Sequence, residues 1–377
     1  MKWVNRYYQS RISKHLKPGK ILVVYGPRRS GKTCLINRFL HDYNGKYYSG
    51  TGEDLVLKNI FKTSNIRQIK NAFSQYSLVF IDEAQNIPNI GQCLKIMVDH
   101  IKGLNIIASG SSSFQLSSKI GEPLTGRHKT ILLYPLSLME ISKHYGGIDI
   151  LESLDDLIVY GTYPEVVISD NFNEKVEYLI SLRDSYLFKD ILEFANIRNS
   201  DKLSDLLKLL AFQIGKEVSL NELGCSLGLA KQTIERYLDL LEKSFVIKKV
   251  RGFSRNLRKE VTKSSRYYFY DNGIRNSIIN NFNPISMRDD VGMLWENFLF
   301  IERMKKLHYH NIYSNVYFWR TYDRKEIDLV EEREGRLFGY EFKWGKKKIK
   351  PIKLWLETYK NASFEVISKE NFLWFLT

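Results

Sequence analysis

The residues with the clearest chemical meaning form a glycine-rich segment near the start of the chain. The segment has the spacing G-x-x-x-x-G-K-T, and its members are Gly26, Pro27, Arg28, Arg29, Ser30, Gly31, Lys32 and Thr33. Glycines let backbone N–H groups turn toward phosphate oxygens, and a helix that starts here adds a favourable dipole. The pattern therefore predicts an ATP site in which Lys32 contacts the β- and γ-phosphates and Thr33 binds Mg²⁺.

Two acidic residues after a second apolar run complete the predicted site. Residues 78–81 are all apolar, as in a buried parallel strand, and Asp82 and Glu83 follow them directly. We expect Asp82 to hold Mg²⁺ and Glu83 to polarise the attacking water. The pair therefore predicts hydrolysis of ATP rather than binding alone.

A third apolar run, residues 104–108, leads into a cluster of serines. Ser111 and Ser112 at its tip are candidates for sensing the γ-phosphate or for orienting the water. The alternative interpretation is a turn followed by a helix N-cap, which serines also favour. We keep both interpretations and take Ser111 as the candidate catalytic residue.

Arg127 follows a glycine turn just beyond this region. It is a candidate arginine finger, acting on its own subunit or on a neighbouring one. The alternative is an ordinary surface arginine, and Arg28 and Arg29 in the phosphate loop are further candidates for stabilising charge.

A second acidic constellation lies near the C-terminal end of the chain. Glu296 falls on an amphipathic helical segment, Asp328 on a strand, and Glu341 and Lys343 on the next strand beyond a turn at residues 334–335. Carboxylates in this arrangement can hold Mg²⁺, and a lysine on the same strand face can orient water at a phosphodiester. The pattern predicts a D…E-x-K nuclease fold. It leaves open an active nuclease, a scaffold kept for binding, or a simple pairing of Asp328 with Lys343.

Residues 201–270 have the pattern helix, helix, turn, helix and two strands, which is typical of a winged helix-turn-helix. Ser219 and Glu222 form a capping box at the start of its second helix. Candidate DNA contacts on the third helix and the wing are Lys231, Gln232, Thr233, Arg236, Arg255 and Arg258. The alternative is a winged helix that packs only against protein.

Composition narrows the class of protein further. The formal net charge of the 377-residue chain is +15, which favours a polyanionic partner such as DNA. The three cysteines lack the spacing of metal ligands or of a disulfide set, so we expect a reducing cytoplasm. No apolar stretch reaches the roughly 18–20 residues of a membrane span, and we expect no membrane partner.

The alternation of apolar runs and helices predicts a multi-domain α/β protein. The predicted parts are a P-loop NTPase parallel sheet at 1–135, a helical lid at 136–200, the winged helix-turn-helix at 201–280, and a C-terminal restriction-endonuclease-like α/β domain at 281–377.

The order of these motifs resembles a widespread prokaryotic family of AAA+-like ATPases that couple a P-loop domain to a winged helix and a C-terminal restriction-endonuclease-like domain of unknown function. The motifs that carry the resemblance span nearly the whole chain, at residues 26–33, 80–85, 108–112, 124–127, 134–136, 161–165, 295–298, 326–328 and 341–343. The resemblance implies ATP binding, Mg²⁺ and a cytoplasmic setting. It fixes no process, and the role it implies for Arg127 depends on oligomeric geometry.

We therefore predict a Mg²⁺-dependent ATPase that acts as a nucleotide-driven switch and associates with nucleic acid. One alternative is an ATP-licensed DNA nuclease that uses the C-terminal constellation. Another is a signalling switch that binds only proteins. The sequence leaves a homo-oligomer open.

Overall fold

The computed structural model describes residues 3–111, 124–185, 200–255, 265–321, 323, 325–345 and 352–377. The chain divides into two compact units. The phosphate-loop unit comprises residues 5–135 and 243–245. The C-terminal unit comprises residues 1–4, 136–242 and 246–377.

A parallel sheet forms the centre of the phosphate-loop unit. Its strands are β1 Ile21–Tyr25, β2 Tyr47–Thr51, β3 Leu78–Asp82, β4 Asn105–Gly110 and β5 His128–Leu132. Their order across the sheet is β2-β3-β4-β1-β5, and every neighbouring pair is parallel. The predicted P-loop NTPase sheet is therefore confirmed. Because the strands are parallel, the C-terminal ends of β1, β3 and β4 meet at one edge.

Helices cover this sheet and explain its apolar strands. They are α1 Ile12–His15, α2 Lys32–His41, α3 Leu55–Lys62, α4 Ile66–Phe73 and α5 Ile90–His100. Phe61 of α3 and Phe73 of α4 are buried and stack with ring centroids 5.6 Å apart. The first four residues of β3 are buried, as a strand covered on both faces requires.

The C-terminal unit opens with a group of helices, α6 Leu138–Tyr145, α7 Gly147–Tyr160, α8 Pro164–Ile168 and α9 Phe172–Leu182. A reciprocal capping box between Ser137 and Glu140 starts α6. These helices fall in the predicted lid region, of which residues 186–199 lie outside the described residues. The movement of a lid over nucleotide stays a prediction.

The next segment contains α10 Ser200–Phe212, β6 Glu217–Val218, α11 Leu220–Leu227, α12 Lys231–Lys243, β7 Ile247–Gly252 and β8 Ser265–Phe269. The side chain of Ser219 caps α11 by accepting a hydrogen bond from the N–H of Glu222. Gly228 ends α11 in the left-handed region, at φ 63°. Strands β7 and β8 are antiparallel, and α12 buries Ile234, Leu238 and Leu241. The winged-helix interpretation of this segment stays a prediction.

The rest of the unit contains α13 Asn272–Ile278, α14 Val291–Tyr309, β9 Asn315–Arg320, β10 Glu326–Arg333, β11 Arg336–Phe342, α15 Lys353–Thr358, β12 Ala362–Ile367 and α16 Phe372–Leu376. One mixed sheet, in the order β12-β11-β10-β9-β7-β8-β6, runs through the described strands of the unit. Strand β9 pairs with β7, so the predicted wing and the predicted nuclease-like domain share a sheet. The division of the chain into four domains stays a prediction.

A buried polar network ties the helices of this unit together. Asp271 accepts hydrogen bonds from the backbone N–H of Thr162 at 2.7 Å and of Ile274 at 3.2 Å. Lys305 on α14 donates to Leu136 O and to Thr162 Oγ1, both at 3.0 Å. Burial raises the pKa of Asp271 to about 6, although the two amides and Lys305 oppose the rise.

Candidate nucleotide site and carboxylate cluster

The phosphate loop lies at the edge where the parallel strands end. Strand β1 ends at Tyr25 and α2 begins at Lys32, so residues 26–31 form the turn between them. Gly26 has φ 149°, and a Cβ atom there would collide with the carbonyl oxygen of Leu133. Gly31 has φ 93° and stands at the N-cap of α2. These backbone conformations require glycine, and they are followed directly by the N-terminus of α2, where the helix dipole favours an anion.

Lys32 is buried inside the loop. Its Nζ donates hydrogen bonds to Gly26 O at 3.0 Å and to Pro27 O at 2.8 Å. Burial lowers the pKa of Lys32 to about 8, and the nearby charges of Glu83 and Asp82 partly offset that effect. An anionic phosphate at the loop would favour the charged form of this lysine, because it supplies a countercharge in a poorly solvated place.

Thr33, Asp82 and Ser109 form a hydrogen-bonded group at the same edge. Thr33 Oγ1 donates to Asp82 Oδ2 at 2.7 Å, and Ser109 Oγ donates to Asp82 Oδ1. Hydroxyl and carboxylate oxygens are the ligands that Mg²⁺ prefers, so Thr33 and Asp82 fit the predicted ion. The sequence reasoning missed Ser109. A parallel register in which Ile81 lies opposite Ala108 would have placed it beside Asp82.

Glu83 is held by a glutamine that the sequence reasoning also missed. The backbone of Glu83 is in the left-handed region at φ 45°, an uncommon conformation for a non-glycine residue. Gln85 Nε2 donates to Glu83 Oε2 and, at 3.3 Å, to Ser111 Oγ. Gln85 therefore connects the two predicted catalytic residues, Glu83 and Ser111, through hydrogen bonds. The other candidate serine, Ser112, lies outside the described residues.

Arg6 is a third residue of the site that only the structure reveals. Its guanidinium donates to Ser30 O at 2.5 Å and to Tyr134 O at 2.6 Å, and it is buried. Arg6 therefore holds a carbonyl of the phosphate loop from a segment 24 residues earlier in the chain. No local sequence pattern marks this contact. Within the loop, Arg28 is half-buried and Arg29 is exposed.

Arg127 lies at the opposite edge of the sheet from the phosphate loop. Its carbonyl oxygen accepts a hydrogen bond of 2.8 Å from the N–H of Ile21, the first residue of β1. The loop follows the last residue of β1, roughly 16 Å away at about 3.3 Å per residue. The side chain of Arg127 pairs with Asp99 at 3.0 Å. An arginine finger within its own subunit is therefore wrong for Arg127, and a role toward a neighbouring subunit stays a prediction.

In the C-terminal unit, the predicted carboxylates surround an arginine. Arg266 on β8 places Nη1 3.7 Å from both Glu296 Oε1 and Asp328 Oδ1. Its Nη2 lies 2.8 Å from Glu326 Oε2. The sequence reasoning missed this position of Arg266, because it depends on the pairing of β7 with β9, which brings β7 and β8 to the carboxylates.

Glu341 and Lys343 form an ion pair beside this group. Lys343 Nζ lies 2.7 Å from Glu341 Oε1, so the lysine pairs with Glu341 rather than with Asp328. Asp328 Oδ2 instead accepts a hydrogen bond of 2.9 Å from the N–H of Phe342. Burial, and then the charge of Asp328, raises the pKa of Glu341 to about 7. Burial also raises the pKa values of Asp328 and of Glu296.

The structure does not support the predicted second Mg²⁺ site at Glu296, Asp328 and Glu341. Among the described residues, no group of three or more His, Cys, Asp or Glu side chains could hold a metal ion. Glu296 and Asp328 both lie 3.7 Å from Arg266, and Glu341 is close enough to Asp328 for the charge of Asp328 to raise its pKa. The carboxylates present therefore do not fit a divalent ion.

The predicted DNA-contacting residues lie on the surface of the C-terminal unit. Lys231, Gln232 and Arg236 are exposed on α12, and Thr233 is half-buried. Arg255 is exposed after β7, with its guanidinium 5.2 Å from the ring of Tyr359. Arg258 lies outside the described residues. Contact with DNA by this surface stays a prediction.

A parallel sheet with a phosphate loop after β1 and an acidic pair at the C-terminal end of β3 defines an AAA+-like P-loop protein. The chain carries an AAA domain, whose family model matches residues 18–142. A domain of unknown function (DUF8612) matches residues 151–284, and another (DUF4143) matches residues 291–370. In the part of the chain that the structure describes, no helix is long and apolar enough to cross a membrane.

Relatives of the chain span most of its length. An uncharacterized protein of Methanocaldococcus jannaschii is 25% identical over 96% of this chain and 87% of its own. An uncharacterized protein of Mycobacterium tuberculosis is 25% identical over 89% of this chain and 72% of its own. One from Haemophilus influenzae is 24% identical over 83% of this chain and 80% of its own.

Two solved structures are also similar to parts of the chain. The Thermotoga maritima RuvB Holliday junction branch migration motor is 17% identical, with a TM-score of 0.33 over 69% of this chain and 95% of its own. A DNA replication initiation factor is 16% identical, with a TM-score of 0.26 over 54% of this chain and 66% of its own.

Proposed function

We propose that the protein is a Mg²⁺-dependent ATPase that acts as a nucleotide-driven switch. The observation that carries the proposal is the hydrogen bond between Thr33 and Asp82 beside the buried Lys32. Together they put a hydroxyl, a carboxylate and a cation at the N-terminus of α2. This is the set of groups that a nucleoside triphosphate with its metal ion requires.

In this proposal, each residue of the site has a separate task. Lys32 and the N–H groups of the loop bind the phosphates, and Thr33 and Asp82 hold Mg²⁺. When bound, Mg²⁺ neutralises charge on the β- and γ-phosphate oxygens. Glu83 orients the attacking water and accepts its proton, while Gln85 fixes the carboxylate of Glu83 and connects it to Ser111.

The switch would act on nucleic acid through the C-terminal unit. The net charge of +15 and the exposed side chains of Lys231 and Arg236 support this part of the proposal. A phosphate backbone is the simplest polyanion that such a surface would bind. Protein partners, and a homo-oligomer in which Arg127 reaches a neighbouring site, belong to the same proposal.

The first test measures ATP binding and hydrolysis in the full chain and in Glu83→Gln. We expect the variant to bind Mg²⁺-ATP with unchanged affinity and to lose about 10²- to 10⁴-fold in turnover, as expected when a general base is removed. The control is Asp42→Asn, which removes an exposed carboxylate after the last residue of α2. Equal turnover in Glu83→Gln and wild type would refute the assignment of Glu83. Wild-type protein that binds no ATP would refute the proposed function.

A further inference from the structure

The carboxylate cluster of the C-terminal unit contains its own cation. Glu296 comes from α14, Asp328 and Glu326 from β10, and all three lie within 2.8–3.7 Å of the guanidinium of Arg266. Glu341 lies on the neighbouring strand β11, where Lys343 pairs with it. The cluster therefore combines four acidic side chains with two basic ones.

Arg266 is a rigid part of this cluster. Its backbone lies in the sheet, opposite Glu217 on β6 and Val250 on β7. Its side chain is 4% exposed and lies over the ring of Phe318, with the guanidinium carbon 4.5 Å from the ring centroid. The strand pairing therefore fixes the backbone of Arg266, while burial and the ring of Phe318 restrict its side chain to the cluster.

The surrounding backbone closes the cluster from a further side. A Cβ atom at Gly215 would lie 2.7 Å from Glu296 Oε1, so the chain passes directly against this carboxylate. Tyr268 also donates a hydrogen bond of 2.8 Å to the same oxygen. Glu296 Oε1 is therefore already engaged by a hydroxyl and lies beside a cation. A metal ion would require this oxygen at 2.0–2.6 Å, with about six ligands in all.

We infer that Arg266 is the resident cation of this cluster and keeps divalent metal ions out of it. A divalent ion among these carboxylates would lie within a few ångströms of a buried guanidinium, and two cations so close in a poorly solvated place repel strongly. The D…E-x-K constellation then serves to hold the wing strands and α14 together through Arg266. The C-terminal unit does not cut nucleic acid by a metal-dependent mechanism at this cluster.

The test counts Mn²⁺ ions bound to the full chain, from the free Mn²⁺ signal in electron paramagnetic resonance. All proteins carry Thr33→Val, which removes a ligand of the ATP site, and no nucleotide is added. We expect no Mn²⁺ bound at this cluster with Arg266 present. Arg266→Gln should gain one ion with at least tenfold higher affinity, and the further change Glu341→Gln should abolish the gain.

Two further variants keep the test decisive. Arg266→Lys retains a positive charge and should bind no additional Mn²⁺. Arg320→Gln removes an arginine that pairs with Glu217 at 2.9 Å outside the cluster, and it should also leave Mn²⁺ binding unchanged. The inference is overturned if the chain with Arg266 intact binds an ion that Glu341→Gln removes. That arm requires no change at Arg266 and therefore holds even where Arg266→Gln fails to fold. The test does not measure ATPase activity. Failure of this inference can therefore be told apart from failure of the proposed ATPase function.

Discussion

The hydroxyl of Thr33 lies 2.7 Å from Asp82 Oδ2, although 49 positions separate the two residues in the chain. Thr33 belongs to the first turn of α2, and Asp82 ends β3. The parallel order of β3, β4 and β1 brings them to one edge of the sheet. The two proposed Mg²⁺ ligands therefore lie in direct contact at this edge of the sheet.

Replacing Thr33 with valine should weaken binding of Mg²⁺-ATP. Valine has a similar shape but no hydroxyl, so Asp82 loses a hydrogen bond and the ion loses a ligand. Loss of a hydrogen bond to a charged group costs about 1.5–3 kcal/mol, or roughly 10- to 150-fold in affinity. Isothermal titration calorimetry with Mg²⁺-ATP measures the change. Thr33→Ser keeps the hydroxyl and should stay close to wild type; equal affinity in Thr33→Val would contradict the assignment.

Replacing Arg127 with alanine should leave the turnover of an isolated subunit unchanged, because Arg127 lies at the far edge of its own sheet and pairs with Asp99. The measurement is ATPase rate per subunit across a wide range of protein concentration. A rate that rises with concentration in wild type but not in Arg127→Ala would place the arginine in a neighbour's site. A loss of rate in dilute, monomeric protein would contradict the geometry.

Replacing Lys231 and Arg236 together with alanine should weaken DNA binding and lower its salt dependence. Each phosphate contact contributes about 0.9 to the slope of log affinity against log salt, so two lost contacts should reduce the slope by about 1.8. Fluorescence anisotropy with labelled duplex at several salt concentrations gives the slope. The control replaces Lys62 and Arg67 with alanine. Both are exposed, on α3 and α4, and their replacement lowers the net charge by the same amount. Equal effects of both pairs would indicate only a general charge effect.

Replacing Gly161 with alanine should destabilise the C-terminal unit. Gly161 has φ 77°, and a Cβ atom there would collide with the carboxylate of Asp271. With ψ at −161°, this is a conformation that essentially only glycine adopts, which costs another residue about 1–3 kcal/mol, and the collision adds to it. Gly147→Ala is the matched control, because nothing lies within 4 Å of its Cβ position. Thermal unfolding measures both, and a midpoint for Gly161→Ala at or above that of Gly147→Ala would contradict the prediction.

Asp271 should make stability depend on pH. Its pKa rises from 3.8 to about 6 on folding, so the folded protein binds a proton more tightly than the unfolded chain does. This contribution to the free energy of unfolding is complete below pH 4 and is lost as the pH rises to about 6. A pKa shift of this size corresponds to about 3 kcal/mol of stability. We expect Asp271→Asn to lack this decline between pH 4 and 6. Unfolding midpoints of both proteins across this range give the difference, and parallel curves would contradict the assignment.

Local patterns in the sequence were enough to predict most residues of the nucleotide site. The loop from Gly26 to Thr33 and the acidic pair at the end of β3 are recognisable because each needs a particular residue type at a particular backbone position. The alternation of apolar runs with helices likewise predicted the parallel sheet. Ser109 and Gln85 were missed because their roles depend on which strand lies beside β3, and sequence spacing does not state strand order.

The sequence alone therefore indicated the chemistry that depends on neighbours in the chain, namely the phosphate loop, the acidic pair and the strand that carries Glu341, with Lys343 directly after it. Tertiary structure decided the contacts between distant segments. Parallel pairing of β1 with β5 placed Arg127 at the far edge of the sheet. Pairing of β7 with β9 brought Arg266 to the carboxylates. Both outcomes follow from strand order and direction. These arise from packing across the whole unit, so the residue spacing within a single motif does not reveal them.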